Sequence, residues 1–464
     1  MLPIPLFGIG NQGRSVNVDA QERTNLYVEL NNADPQKNIV TLYTTPGLVS
    51  FVDFGATPIR GLYQVGDYMY AVHGDKFYKV LNDATFSVIG TLLTNTGNVD
   101  IADNGNQIMI VDGTNGYIYN LTTLAFAQII DVDFVASDTV TYFNSRFVVQ
   151  EAGNTGRFAI SAQYDGLAWD ALDFATAEAS PDRLVRVYAD SGLLQLFGDK
   201  TNEPWGDNGA VDFPFSRIGS GAIEWGLAAR WSLCKFIDSL IFLRTNRLGQ
   251  VQVCVQAGGA AQAISTPEMD VEFGTYSVTS DATAFTYMHS GHAFYQINFP
   301  SANKSWLFDG QSKSWSKLQS GTGRHRGDKY TQYLGRNFVS DYENGKIYRL
   351  DINEYTDDGA MIIREFISRH VGQGDWSTLS MLWLEFEEGV GLETGQGSDP
   401  QVIMRVSKDG GKTYGLEQWR SIGKIGKFNT RAVWNRLGRA REWTFKFRVT
   451  DPIKVVITQA WGTK

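Results

Sequence analysis

From about residue 58 to residue 350 the chain reads as short runs of alternating apolar residues bounded by Gly, Asn and Asp, with almost no helical periodicity. That pattern predicts strands joined by tight turns. Seven stretches repeat it: 65–80, 104–121, 143–161, 190–205, 237–254, 289–308 and 334–350. Each reads as turn, strand, turn, strand. In VGDYMYAVHGDKFYKV, Tyr68, Tyr70 and Val72 share one strand face, Gly74 and Asp75 supply a hairpin, and Phe77 and Val80 re-enter the sheet. Starts fall roughly 40 to 50 residues apart, the spacing of four-stranded propeller blades that bury their faces by stacking. The expected fold is all-β, a propeller of six or seven blades.

The two ends depart from the repeat. Residues 1–57 hold extended pieces, NLYVE and TLYTTPGLVSF, separated by the polar stretch NNADPQKN, and suit an extended segment that packs onto the propeller or completes a blade. After His370, TLSMLWLEFEEGVG, QVIMRVS, WTFKFRVT and PIKVVITQ read as strands of a small antiparallel β-sandwich. The expected division is an N-terminal segment 1–57, a β-propeller 58–370 and a C-terminal β domain 371–464.

Charge sharpens this division. The net charge is -9, yet residues 401–464 carry 14 Lys and Arg against 4 Asp and Glu, leaving 27 against 46 in residues 1–400. An acidic bulk disfavours coating by nucleic acid, because phosphate binding rests on concentrated Lys and Arg. It leaves room for DNA passing close by without sticking. Cys234 and Cys254 are the only cysteines, so neither a disulfide framework nor a Cys-rich zinc site is available, and a reducing compartment is the simpler reading. MLPIPLFGIG lacks the basic start and apolar core of a signal peptide, and no apolar run is long enough to span a membrane, so a soluble, unsecreted protein is expected.

The best-defined motif is SKDGGKTYG, residues 407–415, which fits the Asp-box turn of sialidases. In such a turn Ser407 and Asp409 bond their own hairpin, Gly410 and Gly411 permit positive φ, and Tyr414 anchors the core. It is a folding device, with a looser echo in SAQYDGLAWD from Ser161 to Trp169. A sialidase would also need three arginines gripping a carboxylate, a Tyr nucleophile and a paired acid, a set that cannot be assembled here. Glycan binding or cleavage by a sialidase-like propeller is therefore the alternative function.

Other candidates are weaker. His289 and His292 flank a Ser-Gly turn and read as turn or surface histidines rather than a metal pair. Arg324, His325 and Arg326 form a glycine-bracketed basic loop, a candidate channel or partner contact. DINEYTDDG (351–359) lacks the glycine and glutamate of a calcium loop and reads as an exposed turn. GIGNQG at 8–13 has no strand-helix unit around it. No catalytic, cofactor or metal residue is assigned, and no small-molecule substrate or enzymatic activity is expected.

The C-terminal run TRAVWNRLGRAREWTFKFRVTDPIKVVITQ places Phe445, Phe447 and Val449 on one strand face and Lys446 and Arg448 on the other. The order S-x-DG-x-x-YG-x-E-Q at 407–418, R-x-x-W-x-R-x-GR-x-R at 431–441 and F-K-x-R-V-T at 445–450 resembles the tail-hub proteins of short-tailed bacteriophages, also called packaged-DNA stabilisation or nozzle proteins. NLYVE, TLYTTPGL and SAQYDGLAWDALDFATAEASPD are similar to that family too. The resemblance implies a structural virion protein of the tail, assembled in the bacterial cytoplasm. Its copies would form a ring, usually a hexamer, below the portal and the adaptor, the head-to-tail connector. That ring would extend the DNA channel, hold packaged DNA through transient non-specific contact, and carry the tail needle, fibres or tailspikes. Arg431, Trp434, Arg436, Arg439, Arg441, Lys446 and Arg448 are then the candidate surface for a neighbouring subunit or the adaptor.

Overall fold

The computed structural model describes residues 2–11, 13–30, 40–153, 155–177, 182–210, 213–219, 223–246, 248–257, 260–372 and 374–463. The polar stretch NNADPQKN lies outside the described residues. Strand accounts for 56% of the described residues. The one helix among the described residues, Pro267–Phe273, is started by Thr266, whose side chain accepts from the Met269 N–H. The fold is a β-propeller followed by a β-sandwich, as the sequence pattern predicts.

Contacts divide the chain into two compact units. One comprises Ser50–Phe285 and Gly327–Arg349 and holds most of the blade sheets. Its first sheet runs in the order Ile59–Val65, Tyr68–His73, Lys76–Val80, Phe86–Thr91. The next three, also four-stranded and antiparallel, begin at Asp100, Ser137 and Leu184, and a five-stranded sheet follows from Gly226. In the last sheet the order is Gly327–Tyr333, Arg336–Asp341, Lys346–Asp351, Gly47–Asp53, Thr356–Asp357, Ala360–Met361, so a strand from the start of the chain lies inside it. Just past that strand, the Phe54 N–H donates to the Gly345 carbonyl at 3.0 Å and the Gly345 N–H to that of Gly55 at 2.7 Å.

The second strand of the first sheet shows why strict alternation fades inside the repeat. Met69, Tyr70, Ala71 and Val72 are all at most 1% exposed. Tyr70, Val72 and Phe77 pack with Ile108, Ile110 and Tyr117 of the following sheet, while Met69, Ala71 and Val80 pack with Tyr333, Phe338 and Ile347 of the last one. This blade is covered on both faces, and each such side chain contributes about 1.5–3 kcal/mol on leaving water. The turns supply the punctuation: Asp190 pairs with Leu193 across Ser191 and Gly192 at φ +52° and +77°, the left-handed pair that matches strand twist.

The other unit comprises Met1–Val49, Thr286–Arg326 and Leu350–Lys464. One of its sheets runs Leu26–Leu30, Val40–Thr44, Val456–Thr463, Ser377–Phe386, Ala432–Ala440. A second includes Ser314–Ser320, Glu22–Thr24, Arg364–Ile367, Thr444–Val449, Gln401–Ser407 and Gln418–Ser421 in that order. Leu26, Leu42, Leu382, Leu384, Trp434 and Phe447 share the core of this sandwich. The N-terminal strands therefore build the sandwich as well as the last blade.

Two buried arginines tie these segments together. Arg364, 1% exposed, donates from Nε to Thr44 Oγ1 at 2.7 Å, from Nη1 to the Asp451 carbonyl at 3.1 Å and from Nη2 to the Tyr355 carbonyl at 3.0 Å. Burial brings its pKa down to about 10. Arg23 donates to the carbonyls of Gly8 at 2.7 Å and Trp315 at 2.8 Å. Asn25, at φ +54°, bonds the Gln319 and Ile363 carbonyls at 2.9 Å each. Close approach also explains GIGNQG: a Cβ on Gly8 would lie 2.5 Å from Gln21 Oε1, so the glycines make room for the chain's own side chains.

Replacing Arg364 by Ala removes the donor from three oxygens, that of Thr44 buried, and is expected to cost about 3 kcal/mol. Calorimetry of purified protein checks this, and an unchanged unfolding midpoint contradicts it. Asp357, 4% exposed and bonded by Ser320 Oγ at 2.7 Å, gives a pH signature. Burial, against the opposing pull of Ser320, Arg364 and Arg326, raises its carboxyl from 3.8 to about 6. Between those values the folded chain holds a proton the unfolded chain has lost, so this group's contribution to stability falls as pH rises. Asp357→Asn should remove that slope, worth about 3 kcal/mol at full amplitude. Equal slopes for wild type and variant from about pH 4 to 6 would contradict the assignment.

Candidate functional site

The Asp-box residues form the closed turn their spacing predicts. Strand Gln401–Ser407 ends at Ser407, which is fully buried; its Oγ donates to Asp409 Oδ1 at 2.6 Å and accepts from the Gly411 N–H at 2.8 Å. Asp409 Oδ1 also accepts from the N–H groups of Lys412 at 3.1 Å and Thr413 at 3.0 Å, and Oδ2 accepts from Thr413 Oγ1 at 2.6 Å. These donors, the Ser407 hydroxyl first, hold the Asp409 carboxyl well below the usual carboxylate range. Gly410 and Gly411 sit at φ +73° and +89°, and a Cβ on Gly411 would lie 2.8 Å from Val16 Cγ1. Tyr414 is half-buried, and that burial pushes its hydroxyl up to about 12. The Ser407 hydroxyl and both Asp409 carboxylate oxygens are thus engaged by the motif's own hairpin. The echo at Ser161 is looser: Ser161 Oγ accepts from the Phe147 N–H at 3.0 Å, and the Trp169 indole donates to the Gly166 carbonyl at 2.9 Å.

The seven candidate interface residues separate into three groups. Trp434 is fully buried against Phe447 and donates from its indole to the Gln418 carbonyl at 3.2 Å. It is removed from the candidate surface, because its strand turns Ala432, Trp434, Leu437 and Ala440 inward. Lys446 and Arg448 both pair with Glu365, at 2.5 and 2.9 Å, and Arg431 lies 3.6 Å from Glu385, so these charges are met within the subunit.

Arg436, Arg439 and Arg441 are exposed and have no acidic partner among the described residues. Arg436 lies at φ +58° in a bulge with one extra residue: two residues separate Asn435 from Gly438, while one separates their partners Met381 and Leu379. Arg439 and Arg441 project from the same side of the strand end and lie 5.3 and 5.4 Å from the ring centre of Trp376, which is 56% exposed. Lys408 belongs elsewhere on this module, its Nζ lying 5.4 Å from the ring centre of buried Trp443. Sequence reasoning missed Trp376; the signal available for it was an aromatic just ahead of strand Ser377–Phe386, where it opposes the arginine-bearing end.

Three loops expected at the surface are corrected. Arg324 and His325 are 9% and 6% exposed, not a solvated basic loop. Strand Gly323–Arg324 folds back along Ser314–Ser320, the His325 N–H donates to Ser305 Oγ at 3.1 Å, and His325 Nδ1 lies 3.1 Å from Gln296 Nε2. Arg326 is half-buried, and its N–H bonds Ser320 Oγ at 3.3 Å. His289 and His292 do flank the Ser290-Gly291 turn, yet His292 is 4% exposed, with Nδ1 3.0 Å from Asp309 Oδ2. That hydrogen bond raises the His292 pKa above 6.5. In 351–359, Asp357 is buried rather than displayed.

Among the described residues no group of three or more His, Cys, Asp or Glu could hold a metal ion. Burial pushes the Cys234 thiol up to about 12 and Cys254 higher still, which makes both poor nucleophiles. No helix among the described residues is long and apolar enough to cross a membrane.

Asp409→Ala should loosen only its hairpin, lowering the sandwich's stability by about 1–2 kcal/mol. Amide exchange at Gly411, Lys412 and Thr413 reads this directly, and unchanged protection there would contradict it. His292→Gln should remove the stability that wild type loses as pH rises above 6.5, since a raised imidazole pKa stabilises the fold only while protonated.

Two family models match the chain: Bacteriophage P22 Gp10, beta-propeller, over residues 3–355, and Bacteriophage P22 Gp10, beta-sandwich, over residues 363–461. No curated protein matches it. Solved structures similar to it include the computationally designed Ika8 protein, at 12% identity and TM-score 0.39 over 71% of this chain and 99% of that one. A chain of a mitotic checkpoint complex is similar at 11% identity and TM-score 0.42, over 70% of this chain and 95% of the other. Likeness that slight carries no argument about either fold or function. The first matched segment spans the blade sheets, the second holds the arginine-bearing strand, and the chain belongs to the bacteriophage P22 Gp10 family of structural tail proteins.

Proposed function

We propose that this tail protein assembles into a closed ring, a hexamer in the arrangement the family resemblance implies, below the portal and its adaptor. The ring's lumen continues the DNA channel and retains packaged DNA, and its distal side carries the needle, fibres or tailspikes. The observation that carries this reading is family membership over both parts of the chain.

Charge supports it. With 27 basic against 46 acidic residues in 1–400, the bulk of the protein repels phosphates and lets DNA slide, whereas 14 against 4 in 401–464 favours acidic protein neighbours. Arg436, Arg439 and Arg441 are the part of the proposed interface surface whose charge the subunit leaves unmet. No catalytic step is assigned: the Asp box is consumed by its own turn, which removes the motif that suggested a glycosidase.

Negative-stain microscopy and light scattering of the purified protein should show closed rings with an axial opening. A monomer at every concentration, alone or with the adaptor, would contradict the proposal.

A further inference from the structure

Among the described residues, three of the five large apolar side chains that are more than four-fifths exposed lie on two segments joined by a hydrogen bond: Ile130 at 86% and Val132 at 94% on one, Leu172 at 81% on the other. Such side chains concentrated together on a surface mark a binding face. The loop bearing Ile130 and Val132 is fixed, because the Trp169 N–H donates to Asp131 Oδ2 at 3.0 Å and the Phe134 and Trp169 rings meet at 5.1 Å. Leu172 follows three residues later on strand Asp165–Thr176. Acidic residues frame this knob. Asp133 is half-buried and Asp170 exposed, and neither has a basic partner among the described residues.

The sandwich carries the complement. Trp376 offers an exposed ring, and Arg439 and Arg441 stand against it with their charge unmet. Trp376 aligns the two guanidiniums at the strand end, so less side-chain freedom is lost when each meets a carboxylate. The ring also supplies apolar area for aliphatic side chains.

We infer that the Trp376–Arg439–Arg441 face of one copy docks on the Ile130–Val132–Leu172 knob of a second copy, its arginines meeting Asp133 and Asp170. This rests on the ring reading and deepens it by naming both sides of the subunit contact. The two faces are different surfaces, so the contact is head-to-tail, the type that propagates into a closed ring rather than stopping at a dimer. A protein occupant is favoured over DNA because the apolar knob and the acidic rim have no counterpart in a phosphate backbone.

Four proteins test it: wild type, Arg439→Glu with Arg441→Glu, Asp133→Lys with Asp170→Lys, and the chain bearing all four changes. Assembly is followed against concentration by light scattering and negative stain, with thermal unfolding confirming that each variant is folded. Each double variant should assemble about tenfold more weakly or worse, and the fourfold variant should regain assembly because its charges are again opposite. Wild-type rings together with unimpaired rings from both double variants would overturn this contact while leaving the ring reading intact. Rings from the arginine variant accompanied by lost binding of a short DNA duplex would reassign the face to phosphates. Absence of rings in wild type would instead defeat the ring reading itself.

Discussion

The sandwich depends on a guanidinium taken out of water. Arg364 reaches Thr44, Tyr355 and Asp451 at once, bonding a residue 320 positions earlier and one 87 positions later. A buried cation is costly unless its donors are satisfied, and here neutral oxygens satisfy them. Any arrangement that leaves one of the three segments out strands the charge. The same logic governs Arg23, which fastens the first residues through Gly8 and Trp315. These side chains are what makes a strand near the beginning, a loop in the middle and the last strands into a single sandwich.

With the sandwich fixed, the arginine-bearing strand Ala432–Ala440 can bury Ala432, Trp434, Leu437 and Ala440 and still present Arg436, Arg439 and Arg441 outward. The bulge at Arg436 keeps this possible, because one extra residue restores the inward phase after the register slips. Exposed charge on a rigid strand is pre-organised, which favours binding a partner over binding solvent.

The propeller was legible because its signals are local: a two-residue turn and an apolar run can be read within about 20 residues. So was the Asp box, whose hydrogen bonds all close within five residues. What was not legible was long-range. Nothing near Glu22 announces that its strand lies between Ser314–Ser320 and Arg364–Ile367, because that placement is decided by Arg23 and Asn25 reaching across the fold. The candidate site failed in the same way. RHR looked solvated because it is charged and glycine-flanked, and only the fold brings Ser305 and Gln296 to it. Trp434 looked like an interface aromatic, although alternation along its own strand already placed it with Ala432 and Ala440. Lys446 and Arg448 looked free until Glu365 on the neighbouring strand met both.

The central claim is that this chain forms a layer of the tail tube through which DNA passes. A symmetric cryo-EM reconstruction of the intact virion tail tests it most directly. The account predicts copies of this propeller and sandwich encircling the DNA path as one ring directly beneath the adaptor. A virion whose tail contains no such ring, or in which this chain lies off the DNA path, would contradict it.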